Sequence, residues 1–510
     1  MKKIPIKKDA VFLVVIILSI VAALLSVVLS QFYDAENIGI SNLKAYSYDN
    51  RIFLTWSSIG RGHVELKITS SDDNIIETVD LISGESDYSY ITGEHGKKYN
   101  FSVSLKNADQ YIGTSCTQTA LFLDYTKIPD LPVVRIETKN EKKPSYTVVD
   151  PPEGGMGQSI ADNEYVAAKF TVLNDGVQTA FSLTGKIRIR GNTSATMAVK
   201  KPFKIVLDHP VDLLGRSDKQ YADSEWLLIA CDYAFKTVSG MKIAELFGME
   251  WQPQFQPVNV MMNGDWLGCY YLCENITIGP HRMNISKDGF MIEHDAYWWN
   301  EEVYFATPNQ PSRIAYTFMY PQIRSNTDPV LESVRSYVVA FENSLENGYQ
   351  AFERYIDVDS FVNWLLIHDV LGTWDAGGSN MFLYKQDAQE GSKLKAGPVW
   401  DFGTIFEQQG QWSRIHTSKL MYYDLLLQNT SFLEAYKARW CVLTETVVPD
   451  IAAYLYDHVD ECGTAMQESW LLDAEKYDIE VPTISEALGN TLQWFQTRKT
   501  WLDTNIQQLK

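Results

Sequence analysis

The apolar residues of this chain change their spacing part-way along it, and that change limits the architectures open to it. From about Asn42 to Leu123 they alternate. Ile52, Leu54 and Trp56 fall on one strand face, Val64, Leu66 and Ile68 on a second, and Tyr99, Phe101, Val103 and Leu105 on a third, with Gly, Ser, Asp and Asn clusters between. Period two is the spacing of a strand with one wet face, so this stretch predicts an antiparallel sandwich. Residues 125–132 (YTKIPDLP) carry two prolines and read as a short stiff linker. Strand-like stretches follow: VVRIE (133–137), KIRIRG (186–191), PFKIVLD (202–208) and NVMMNGDWLGCYYLCENI (259–276), with Asn263-Gly264-Asp265 as a hairpin-type turn. One helical stretch is expected at about 225–247. Beyond Asp328 helical spacing dominates. Asp359 or Ser360 is expected to cap a helix that carries Phe361, Trp364, Leu365 and Leu371 and stops at Gly372. Thr483 and Glu486 form a capping box ahead of Leu488, Leu492, Phe495 and Leu502. The expected class is α+β with segregated halves, a strand-rich lobe and then a helix-rich lobe, with a cleft between them.

The amino terminus has its own logic. Lys2, Lys3, Lys7 and Lys8 precede an apolar run from Ala10 to Leu29, about the ~20 residues a membrane-spanning helix needs. It predicts an anchor whose basic flank stays inside while the rest is extracytoplasmic. A signal cleaved near Val28-Leu29-Ser30, giving a secreted chain, is the alternative. The expected segments are 1–31 for the flank and anchor or signal, 35–127 for the sandwich, and 130–510 for the larger domain. With 64 acidic and 44 basic residues the net charge is −20. A nucleic-acid partner is excluded on that ground, since each phosphate contact needs a Lys or Arg. Proteins, metal-bound nucleotides or glycans remain. The six cysteines contain no CxxC pair, so neither a disulfide framework nor a zinc site organises the fold.

Chemistry concentrates in LLIHDVLGTWDAGGSNMFLYKQ and the later KLKAGPVWDFGTIF. Asp375 and Asn380 stand five apart on a Gly-Gly loop leaving a helix, and Asp401 opens an Asp-Phe-Gly after a strand-like run. This order resembles a protein-kinase site, where one Asp meets the acceptor hydroxyl and an Asn and a second Asp hold Mg²⁺. Hard Mg²⁺ wants oxygen ligands, and a carboxylate can accept a hydroxyl proton. The plainer reading makes Asp375 and Asn380 turn residues and Asp401 a cap. Lys204 in KKPFKIVLD points away from the face of Phe203, Ile205 and Leu207, as a phosphate-pairing lysine should, with Lys200 and Lys201 as rivals and Glu245 as its candidate ion-pair partner. In RIRGNTS (188–194), Arg190 and Asn192 either contact phosphate or form an ordinary turn. Glu293 and Asp295 beside Tyr297, Trp298 and Trp299 admit a glycosidase reading, because two carboxyl groups could converge there. His368 reads as a core histidine.

Trp56 in an early strand and Tyr99 in GKKYNFSVSL make residues 35–127 resemble a fibronectin type III domain, in which such a tyrosine braces a strand corner. It would serve as a spacer or as a ligand-binding module. IRGNTS…KKPFKIVLD, WLLIACD, VNVMMNGDWLGCYYLCENI, GFMIEHD and NMFLYK…PVWDFG, in that order, resemble the CotH family of spore-coat proteins from about Pro132 to beyond Phe406. The resemblance implies a bilobal, atypical protein-kinase-like fold that uses ATP with Mg²⁺ or Mn²⁺ to phosphorylate Ser or Thr of a protein partner. It implies Asp375 as the catalytic aspartate, Asn380 and Asp401 as metal ligands, and Trp400 with Asp401 as the family's Trp-Asp pair. Trp400 thereby joins Lys204, Arg190 and Glu245 in the candidate nucleotide set. Gly403 stands where the family usually has a second Asp, and Thr373-Trp374-Asp375 replaces His-Arg-Asp. A non-catalytic, kinase-shaped scaffold for surface or coat assembly is the alternative.

Overall fold

The computed structural model describes residues 38–48, 50–82, 84–174, 177–216, 218–309, 314–345, 349–373, 375–406 and 422–509. They divide into two compact units. The first ends at Ile128 and includes Gly264–Trp266; the second comprises Pro129–Asn263 and Leu267 onward.

The first unit is all β. Its strands are β1 (Gly39–Tyr48), β2 (Arg51–Ile59), β3 (His63–Ser70), β4 (Ile75–Leu81), β5 (Asp87–Tyr90), β6 (Lys98–Asn107) and β7 (Gln110–Leu121). They bond in the order β4-β3-β6-β7-β1-β2-β5, antiparallel except where Gly39 of β1 meets Thr114 of β7. A Cβ on Gly39 would lie 2.2 Å from the Thr114 nitrogen, so only glycine permits that approach. The three expected strand faces are all buried and share one core. Tyr99 braces its corner: its hydroxyl accepts the Glu94 N–H at 2.8 Å.

The second unit begins with a closed barrel. Its strands are β8 (Val133–Thr138), β11 (Val166–Asn174), β12 (Val177–Ile189), β13 (Phe203–Val211), β14 (Asp223–Ala230), β15 (Phe255–Met262) and β16 (Asp265–Glu274), in the order β11-β12-β13-β14-β16-β15-β8. A small hairpin, β9 (Thr147–Val149) and β10 (Ser159–Ala161), is inserted after β8. Alternation sorts the barrel's residues. Ile187, Ile205, Trp226 and Leu272 fill its interior, while Leu227, Tyr271 and Cys273 point outward into a second core shared with the helices. The helix expected at 225–247 is two elements, since β14 takes its first six residues and α2 (Lys236–Leu246) follows α1 (Thr193–Met197) as the second helix. An apolar run such as WLLIA suits a strand buried on both faces as well as a helix.

A five-stranded sheet follows, β18-β19-β17-β20-β21, built from β17 (Phe290–Asp295), β18 (Tyr304–Phe305), β19 (Ala315–Tyr320), β20 (Met381–Lys385) and β21 (Leu394–Val399). The helices are α3 (Pro329–Ser344), α4 (Tyr349–Phe352), α5 (Val358–Leu371), α6 (Tyr423–Gln428), α7 (Thr430–Leu443), α8 (Val447–Tyr477) and α9 (Ile484–Gln507). Asp357, not Asp359 or Ser360, caps α5, accepting the Ser360 N–H at 2.9 Å; Gly372 ends it at φ 65°. The Thr483–Glu486 capping box opens α9. His368 is in the core, but among the described residues neither ring nitrogen has a hydrogen-bond partner.

Helix α8 is tied to the barrel by a buried charge pair. Lys200 Nζ lies 2.6 Å from Asp473 Oδ2, with side chains 4% and 0% exposed. Asp473 also accepts from the Tyr233 hydroxyl at 3.0 Å and the Cys269 N–H at 3.1 Å. A Cβ on Gly268 would sit 2.0 Å from Asp473 Oδ1, so a glycine there admits the carboxylate.

The expected membrane anchor does not stand. Among the described residues no helix is long and apolar enough to cross a membrane. Even the longest, α8, carries Asp450, Asp457, Asp460 and Glu461. The run from Ala10 to Leu29 lies outside the described residues, and the anchored, extracytoplasmic placement drawn from it is withdrawn.

Candidate active site

The β20–β21 hairpin brings two distant stretches together. Met381 pairs with Val399, so the residue entering β20, Asn380, and those leaving β21, Trp400 and Asp401, emerge at one end of the sheet. Asp375 arrives on the loop from α5, and the Asn380 side-chain amide donates to its carbonyl at 3.4 Å. Asn380 and Asp401 both have left-handed backbone, φ 60° and 62°, a conformation that asparagine and aspartate tolerate better than most side chains. Asp401 Oδ1 accepts the Gly403 N–H at 3.0 Å. Burial first and the Asp401 charge second push the Asp375 carboxyl up to about 6. The Asp401 charge thus adds to burial in holding the Asp375 proton.

Helix α2 buttresses this corner. Lys236 Nζ donates to the Gly403 carbonyl at 2.7 Å, and the Phe402 ring lies 2.1 Å from where a Cβ on Gly240 would stand.

The cation beside Trp400 comes from β12's end. Ile187 and Ile189 point into the barrel, so Arg188 and Arg190 point out. Burial pulls the Arg190 guanidinium below its ordinary range, opposed chiefly by the charge of Asp401 and also by that of Glu293. It lies 5.6 Å from the centre of the Trp400 ring. Lys204 shares that outward face, directly across from Arg188. Its ion-pair partner is Glu225 at 2.8 Å, not Glu245. Glu245 instead pairs with Lys242, 2.7 Å away on the same helix, and lines a cavity of ≈ 940 Å³ with Trp251 and Arg282. The rival lysines are occupied: Lys200 by Asp473, and Lys201 by the Ala198 carbonyl at 2.7 Å. Asn192 Oδ1 accepts from the Ser159 hydroxyl at 2.8 Å and the Thr193 hydroxyl lies 3.1 Å from that of Tyr297, so the 190–193 turn spans from barrel to sheet.

Glu293, on β17, is pushed up to about 8 by burial and then by Asp295; its Oε1 accepts the Asn380 N–H at 3.2 Å. Asp295 is engaged by the Tyr297 N–H at 2.7 Å and the Thr317 hydroxyl at 3.2 Å. The carboxylate pair weighed as a glycosidase site is thus committed to holding neighbouring loops. Trp374 lies outside the described residues. Among the described residues no three His, Cys, Asp or Glu side chains gather as a metal cage. The available set is two carboxylates and an amide, all hard oxygen donors. Oxygen donors of this kind suit a hard divalent cation, so they fit Mg²⁺ or Mn²⁺.

A barrel lobe, a helical lobe, and a loop Asp and Asn meeting an Asp-Phe-Gly define a protein-kinase-like class. The family model described as CotH kinase protein matches residues 187–502, and the chain belongs to that family. No curated protein matches it. Among solved structures, a computer-redesigned β-sandwich protein is 21% identical, covering 17% of this chain and 92% of its own, with a TM-score of 0.15. The Helicobacter pylori proinflammatory kinase CtkA is 12% identical, covering 55% and 92%, with a TM-score of 0.25. Neither score carries an argument.

Proposed function

We propose that the chain is a protein kinase that transfers the γ-phosphoryl group of metal-bound ATP to a Ser or Thr hydroxyl of a protein. The observation that supports this reading best is the pairing of Met381 with Val399, which sets Asn380 beside the end of β21 that carries Trp400 and Asp401, with the Asn380 amide on the Asp375 carbonyl and the Arg190 guanidinium 5.6 Å from the Trp400 ring. Asp375 would take the acceptor's proton, its carboxyl placed near the working pH by burial and by Asp401. Asn380 and Asp401 would hold Mg²⁺ or Mn²⁺, which when bound supplies charge neutralisation on the phosphates. Arg190 would orient the nucleotide's phosphates, its own plane steadied by Trp400. The work of the site would be positioning and electrostatics rather than covalent chemistry.

One observation favours the alternative of a non-catalytic scaffold: Gly403 offers no carboxylate where the resemblance leads one to expect a second Asp. Labelled-phosphate transfer by the full chain, with Asp375→Asn and Asp401→Asn as controls, separates the two. Transfer lost in both variants supports the kinase. A wild-type chain that labels no protein with either metal leaves the scaffold.

A further inference from the structure

We propose that Glu293 and His294, neighbours on β17, are positioning residues that grip the loop bearing Asp375 and Asn380 from the two faces of one strand. The inference rests on the kinase reading of the site and deepens it.

Consecutive strand residues point to opposite faces. Glu293 sits across from Phe382 and His294 across from Met381, so both stand where the loop runs into β20. On one face Glu293 Oε1 accepts the Asn380 N–H at 3.2 Å. On the other, His294 Nδ1 accepts the Gly378 N–H at 3.0 Å. The loop needs such acceptors because it turns through Gly377, Gly378 and Asn380 at φ 94°, 101° and 60°. Backbone in that region cannot enter a strand ladder, and a buried N–H left unpaired costs about as much as a lost hydrogen bond. The histidine is packed in place. The His294 ring lies 5.2 Å from that of Tyr316, whose hydroxyl bonds Tyr422 and Glu342. The consequence reaches the side chains. With its N–H held by Glu293, Asn380 turns its amide NH₂ to the Asp375 carbonyl, which leaves its oxygen for a cation.

The test is Mn²⁺·ATP binding to the full chain, followed by the Mn²⁺ electron paramagnetic signal, in the wild type, Glu293→Ala and Glu293→Gln. Glutamine keeps an acceptor oxygen of the same reach; alanine removes it. We expect affinity to fall about 10- to 100-fold in the alanine variant, as it does when a partner that orients a metal ligand is lost, and to be restored in the glutamine variant. A merely structural role would not separate the two by their metal affinity. Wild-type affinity in Glu293→Ala overturns the inference, and so does equal loss in both variants. A wild type that binds no Mn²⁺·ATP overturns the kinase reading and this inference with it, a distinct result. Should the alanine variant fail to fold, amide exchange in the wild type decides: slow exchange at Gly378 and Asn380 supports the grip, and fast exchange at both defeats it.

Discussion

The guanidinium of Arg190 lies 5.6 Å from the ring centre of Trp400, close enough for a cation to be attracted by the ring face. One residue belongs to the barrel and the other to the end of β21, so the contact joins the two lobes beside Asp401.

Arg190, rather than Lys204, should therefore matter to nucleotide use. Arg190→Met is expected to lower kcat/KM for ATP by about 100-fold, the scale of losing one charge-stabilising donor. Lys204→Met should leave it nearly unchanged and cost about 1 kcal/mol or less of stability, since its pair with Glu225 is partly exposed. Steady-state kinetics with varied ATP checks both; a reversed ranking would restore the lysine to the role.

Gly240 is the contact point of α2 on Phe402. Gly240→Ala should push the ring aside, cost about 1–3 kcal/mol by overpacking and lower metal-dependent transfer. Chemical denaturation and phosphate transfer measured together test it. A variant as stable and active as the wild type would show that the ring has room.

With Asp375 raised to about 6, kcat/KM should climb with pH through that value, because the carboxyl must be ionised to accept a proton. The same shift acts on stability with the opposite sign. The folded chain holds this proton more tightly than the unfolded one, so its contribution is complete below pH 3.8 and is lost as pH rises through about 6. A flat rate profile between pH 5 and 7 would contradict the assignment.

Burial holds His368 down to about 3. Its depressed value means stability is complete above the ordinary 6.5 and declines as pH falls from there, because the unfolded chain takes up the proton first. His368→Phe should flatten the acid slope between pH 6.5 and 5, by up to about 1.4 kcal/mol per pH unit. Urea titrations across that range would reveal an unchanged slope if the histidine is not responsible.

Lys200→Met alone leaves Asp473 buried without its counter-ion and is expected to cost about 3–5 kcal/mol. Lys200→Met with Asp473→Leu should recover much of it, read as midpoints of unfolding. If the double variant is as unstable as the single one, the surrounding hydrogen bonds rather than the charges hold the joint.

Much of the architecture was legible because alternation and capping are local. The sandwich faces carrying Trp56 and Tyr99 and the Thr483–Glu486 box follow from spacing alone, whereas β20 and β21 break the expected separation of a strand-rich from a helix-rich half. The meeting of Asp375, Asn380 and Asp401 was inferred from the order of motifs. What could not be read depends on register and closure. Arg188, Arg190 and Lys204 alternate onto one outward face, and only the closed barrel decides which cation faces Asp401. Periodicity does not separate the strand Asp223–Ala230 from the helix Lys236–Leu246, and it is the strand that sets Glu225 beside Lys204. The grip of Glu293 on Asn380 spans 87 positions, and no periodicity encodes it.

The Lys200–Asp473 joint also sets a schedule for biosynthesis. The two residues are 273 positions apart, so a ribosome working at about 5–20 residues per second releases the aspartate roughly 14–55 s after the lysine. For that interval the nascent barrel carries an ammonium group with no counter-charge to bury it against. The joint itself can close only when translation is nearly over.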